Sequence, residues 1–147
     1  MRDIKFRGRA VEKWKWVYGF YLTLEDLWRK PIDGKERITR RIYSGCADSC
    51  VSSDGYDFSG DWNEVIPETV GQFTGVCDKN GKEIFEGDIL NTEKYQIVEV
   101  IFDNGAFMTR YFLNNGMEHR IMFWDLGDME VIGNIHDNPE LMKGTGT

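Results

Sequence analysis

The chain has 147 residues and a net charge of −7, from 18 Lys or Arg against 25 Asp or Glu; 41% of it is hydrophobic, with 5 Trp and 9 Phe. That length and aromatic content can bury a real core, which excludes overall disorder. The charge is uneven: residues 1–41 carry 12 basic and 6 acidic side chains, the remainder 6 and 19. This split predicts attraction between the two parts, within one subunit or between copies.

At the N-terminus, MRDIKFRGRA breaks its apolar residues with charges and lacks the continuous apolar core of a signal peptide. The uncharged stretch Trp16–Leu24 is too short and too polar to cross a bilayer. Three cysteines form an odd set, which points to reduced thiols and not a disulfide framework. The expectation is a cytoplasmic protein with no membrane partner.

Ile4 and Phe6 alternate with Lys5, Arg7 and Arg9, and every even position from Trp14 to Leu24 is apolar. Period two predicts two strands, the second burying its even face. Pro31 and Asp33-Gly34 then separate it from an extended run over 37–43, a further hairpin. Residues 44–62, dense in Ser, Gly and Asp, predict a long central loop, read as mobile. The runs 70–76 and 82–90 flank Asp78-Lys79-Asn80-Gly81 and predict another hairpin. Asn104-Gly105 and Asn115-Gly116 divide the runs 95–102, 106–113 and 118–124 into a meander. Asn138-Pro139 opens a short C-terminal helix.

The fold class expected is mainly β: a twisted antiparallel sheet or partly open barrel of hairpins. It forms one domain over 1–147, with 1–62 and 63–142 as possible subregions. The predicted core comprises Phe6, Trp16, Tyr18, Phe20, Phe73, Ile84, Ile89, Val100 and Phe102.

Residues able to carry chemistry are sparse. His119 alternates with Arg120 on a strand whose face also holds Ile121 and Phe123, which favours a partly buried structural imidazole; His136 lies in a turn. Cys46, Cys50 and Cys77 lack the paired spacing of a zinc site, and Asp54, Asp57 and Asp61 fail the calcium-loop spacing. Neither a phosphate-binding glycine loop nor a nucleophile elbow is present. Glu86 with Asp88 reads as a solvated strand edge and turn. No catalytic, cofactor or metal residue is assigned. The candidate contact residues are Lys5, Arg7 and Arg9 on one strand face, joined by Lys13, Lys15, Arg40 and Arg41. Cations interleaved with Trp14 and Trp16 are the ingredients of a single-strand nucleic-acid groove. Two features count against it: the acidic total, and the shared parity of both Trp with the face expected to be buried.

Three blocks carry a resemblance: IKFRGRA at 4–10 with Trp16-Val17-Tyr18-Gly19; VIPETVGQFTGVCDKNGKEIFEGDIL at 65–90; and Val131-Ile132-Gly133-Asn134-Ile135 with Asn138-Pro139-Glu140-Leu141. Together they resemble the YopX family of bacteriophages and prophages. The resemblance implies a mainly β fold and no established activity, so it assigns no catalytic residue. Gly71 and Gly75 then serve close or kinked strand passage, Asn80-Gly81 a hairpin, and Gly87-Asp88 a turn before Ile89. Glu86-Gly87-Asp88-Ile89 is also similar to the turn that enters a strand of small SH3-like barrels. The expected function is a non-enzymatic phage-type accessory module that binds a protein or its own copies. Nucleic-acid binding through the basic N-terminal face is the alternative, and a metal-dependent hydrolase using carboxylates comes third.

Overall fold

The computed structural model describes residues 4–25, 38–44, 51–52, 55–56, 61–112, 116–122 and 128–144. Its contacts sort into two compact units, Ile4–Val70 and Gly71–Thr147.

In the first unit, β1 (Phe6–Arg9), β2 (Trp16–Glu25), β3 (Ile38–Tyr43) and β6 (Trp62–Glu64) form an antiparallel sheet in the order β6-β3-β2-β1. Between β3 and β6, β4 (Val51–Ser52) and β5 (Gly55–Tyr56) make a two-residue ladder. The expected mobility of the 44–62 segment concerns mostly positions outside the described residues, as do Cys46, Cys50, Asp54 and Asp57. One sheet face is tightly packed. Gly8 and Ala10 lie there with Ile42 and Val65, and a Cβ added to Gly8 would stand 3.1 Å from both Ile42 Cδ1 and Val65 Cβ. Phe6 and Tyr21 close this face with ring centroids 5.5 Å apart.

The alternation in β2 does produce a strand, but the parity expected to be buried is the open one. Tyr18, Phe20 and Leu22 are 44%, 49% and 39% exposed. The opposite face is the packed one: it closes around Gly8, Ala10, Ile42 and Val65, with Phe6 and Tyr21 at its border. Tyr18 and Phe20 therefore leave the core set, while Phe6 and Trp16 are half-buried.

The second unit contains β7 (Gly71–Cys77), β8 (Glu83–Phe85), β9 (Asp88–Thr92), β10 (Gln96–Asp103), β11 (Ala106–Phe112), β12 (Glu118–Met122) and β13 (Met129–Asn134). The last five form an open antiparallel sheet, β12-β11-β10-β9-β13, with no barrel closure. The β10–β11 hairpin turns on Asn104 and Gly105, both at positive φ (49° and 80°), the type I′ geometry that Asn-Gly favours. β7 and β8 pair through Phe73 and Phe85, and the register shifts across Gly75, whose φ is 89°. Gly71 passes so close to the Glu86 carbonyl that a Cβ would collide with it.

Ile84, Leu90, Val98 and Val100 form the core of this unit, packed by Tyr95, Tyr111, Ile121, Met129 and Val131. Phe73, Ile84, Ile89 and Val100 are buried as expected, but Phe102 is 51% exposed. It lies at the hairpin tip, beyond the core, edge-on to Phe107 at 5.1 Å. The C-terminal helix is only a 3₁₀ turn, Pro139–Gly144, with Leu141 donating to the Asn138 carbonyl three residues back. Six residues are too few to sustain α-helix nucleation.

Candidate binding face

Antiparallel register determines which side chains share a face. Arg9 is opposite Trp16, Arg7 opposite Tyr18, Phe20 opposite Tyr43, Leu22 opposite Arg41, and Arg41 opposite Glu64. One sheet face thus combines the odd positions of β1 with the even positions of β2. The rings and cations touch: the Arg7 guanidinium lies 4.9 Å from the Trp16 ring centroid, Arg9 lies 5.7 Å from those of Trp14 and Trp16, and Lys5 Nζ lies 5.7 Å above Tyr18. Such contacts favour a fixed stack, each worth about 0.5–2 kcal/mol. Arg7 is only 7% exposed and so builds the face from within. Farther across, Tyr43 and Trp62 pack at 4.9 Å.

The loop from β1 to β2 displays the most exposed ring among the described residues. Ala10 donates to the Lys15 carbonyl, and Trp14 donates to the Ala10 carbonyl, closing residues 10–14 into a turn. The closure holds Trp14 at φ 50°, a conformation bulky residues rarely adopt, and leaves it 67% exposed. Gly19 answers a different need: a Cβ there would strike the Tyr43 carbonyl oxygen, so glycine allows β2 and β3 to meet.

Of the residues singled out in the sequence, the fold brings Lys5, Arg7, Arg9 and Arg41 to one face. Arg40, adjacent to Arg41 in β3, points to the other face, and Lys13 and Lys15 are exposed at the β1–β2 loop. Glu64 is opposite Arg41 in the β3–β6 register, which brings a carboxylate from later in the chain next to the basic segment. Sequence reasoning missed Tyr18, Phe20 and Leu22 as exposed members. Their signal was present in the even parity of β2, which an antiparallel neighbour aligns with Lys5, Arg7 and Arg9.

The other candidates have structural surroundings. His119 stacks on Tyr111 at 5.4 Å. His136 donates its amide to Asn134 Oδ1 at 3.0 Å. Glu86 and Asp88 are not solvated as expected: Glu86 is half-buried, and Asp88, 1% exposed, accepts the Phe85 amide at 2.8 Å. Desolvation raises the Glu86 pKa against the amides of Gln72 and Phe102. These carboxylates shape the turn into β9.

A family model described as YopX protein matches residues 5–143. The chain belongs to the YopX family. No curated protein matches it. Among solved structures, this YopX chain is similar to protein EF1440 from Enterococcus faecalis, with 23% identity over 97% of this chain and 99% of that one, at a TM-score of 0.49.

Proposed function

We propose that this YopX-family protein is a non-enzymatic phage-type accessory module of the bacterial cytoplasm, and that it binds its ligand on the β1–β2 face. The observation that carries the reading is a row of exposed apolar side chains, Tyr18, Phe20 and Leu22, bordered by Lys5, Arg7 and Arg9. Monomers rarely leave large apolar groups clustered in the open without a binding role. The strained, exposed Trp14 extends the same surface, and strain of this kind gathers at ligand contacts. Bordering cations select a ligand that is both anionic and apolar.

The test uses the Trp emission of the chain, to which Trp14 and Trp16 contribute, as a reporter. Single-stranded DNA, RNA, an acidic polypeptide and the chain itself at rising concentration are offered in turn. At least one should change the emission, and Tyr18→Ala with Phe20→Ala should abolish that change while circular dichroism stays the same. Silence across the whole panel would sink the proposal.

A further inference from the structure

Building on the binding face just proposed, we infer that its ligand is single-stranded nucleic acid, held with bases on the rings and phosphates along β1. Three observations support this class. First, the exposed side chains of β2 recur every second residue, about 6.8 Å apart. That is about twice the roughly 3.4 Å rise between stacked bases, so neighbouring rings meet successive bases of a strand extended to that spacing, with its bases unstacked from one another, or every second base of a stacked one. Tyr18 and Phe20 present aromatic surface, Trp14 extends the row at the loop, and every base has a face to stack.

Second, the cations run parallel to the rings. Arg7 and Arg9 lie on the neighbouring strand in register with Tyr18 and Trp16, and Lys5, just before that strand, lies over the Tyr18 ring; Arg7 is 7% exposed and supports the face from within, so Lys5 and Arg9 are the cations a phosphate would meet. A phosphate backbone following β1 would place its bases over β2. Cation density falls toward β6, where Glu64 stands beside Arg41, so the track is confined to the β1–β2 side.

Third, the overall charge does not oppose binding at this place. Residues 4–70 hold 11 basic and 11 acidic side chains, whereas residues 71–147 hold 6 and 13. The whole excess of −7 therefore belongs to the second unit. The first unit is neutral, with several of its cations gathered on one face. On the even face of β2, Tyr18 and Phe20 are exposed and Trp16 is half-buried, so aromatic surface of that face is open to a ligand. A protein ligand would need carboxylates but no regular series of flat rings, whereas a nucleic acid supplies charge and rings at every unit.

The experiment is fluorescence anisotropy with a labelled thymidine oligonucleotide of about 12 nucleotides, run on the full chain. Four competitors follow: the same length as duplex, an abasic oligonucleotide with identical phosphates, polyuridine, and polyglutamate. The thymidine strand and polyuridine should bind, and the duplex and abasic strand at least about tenfold more weakly, because neither offers free base faces. Tyr18→Ala and Phe20→Ala should each weaken binding about 5- to 150-fold, the range for loss of one stacked base. Lys5→Gln with Arg9→Gln should weaken all strands alike and flatten the dependence of affinity on salt by about two released counterions. Equal affinity for the abasic and thymidine strands would overturn the stacking assignment. Tighter binding of polyglutamate, or self-association that consumes the same face, would overturn the nucleic-acid class while leaving the binding face intact. Absence of any ligand-induced change in Trp emission would remove both.

Discussion

Oδ2 of Asp78 accepts the Val131 amide at 3.0 Å, bridging 53 residues of sequence. The other carboxylate oxygen accepts the amides of Asn80 and Lys82 at 2.8 and 2.9 Å. One side chain therefore closes the β7–β8 turn and fastens it to β13. Its neighbour completes the join: the Lys79 amide donates to the Met129 carbonyl, and Lys79 Nζ lies 2.6 Å from Glu130.

Asp78→Ala leaves three amides without their acceptor, so it should cost about 2–4 kcal/mol in urea denaturation. Asp78→Asn, which retains one acceptor oxygen, should cost less. The Asp78 carboxylate has a lowered pKa: burial raises it, but the amides of Val131, Lys82 and Asn80 outweigh burial. Its contribution is thus fully present above the ordinary value of 3.8 and is lost as pH falls through the lowered one. The stability difference between wild type and Asp78→Asn should be flat near neutrality and shrink on acidification. A difference that stays constant down to pH 2 would contradict this.

Glu86 should show the opposite slope. Its raised pKa means that the folded state holds the proton more tightly, so its stabilising contribution is complete at low pH and declines as pH rises through the raised value. Glu86→Gln should be more stable than wild type at neutral pH, and the gain should vanish in acid. Thermal melts at a series of pH values measure it.

The two faces of the first sheet should differ sharply in mutational cost. Phe20→Ser on the open face should change stability by no more than about 0.5–1 kcal/mol, the range for exposed sites. Ile42→Ala on the packed face should cost about 2–5 kcal/mol, because the side chain is fully buried against Val65. Equal costs at the two sites would show the faces assigned the wrong way round.

Trp14→Gly should separate stability from binding. Glycine adopts positive φ without steric penalty, so the β1–β2 turn should be unchanged or gain up to about 1 kcal/mol. The same substitution removes the most exposed ring of the face and should weaken ligand binding. Calorimetry together with anisotropy titration reads both effects.

The strands and turns were legible in the sequence because local steric rules govern them. Asn104-Gly105 can hardly do anything but turn, and alternation over β2 can hardly be helical. The orientation of β2 was not legible from β2 itself. Val17 and Tyr21 on one face are nearly as apolar as Tyr18 and Phe20 on the other. What decides the matter is distant: Gly8, Ile42 and Val65 meet so closely that only small or aliphatic groups fit between them. The basic residues of the candidate site were visible as alternation in β1. Their ring partners required the register with Trp16 and Tyr18, which pairing between strands alone supplies.

The Asp78 turn also bears on how the protein behaves when crowded. β13 is an outer strand of the five-stranded sheet, and such a strand ordinarily offers a row of amides and carbonyls on which another chain can add. Here the Val131 amide is held by Asp78 and the Met129 carbonyl by Lys79, so a short polar turn occupies bonds an incoming strand would need. The opposite border, β12, carries Arg120 in contact with Glu118 and Asp103, and charged groups on a border strand discourage stacking between molecules. A turn at one border and an ion cluster at the other thus both oppose the addition of a further strand to this open sheet.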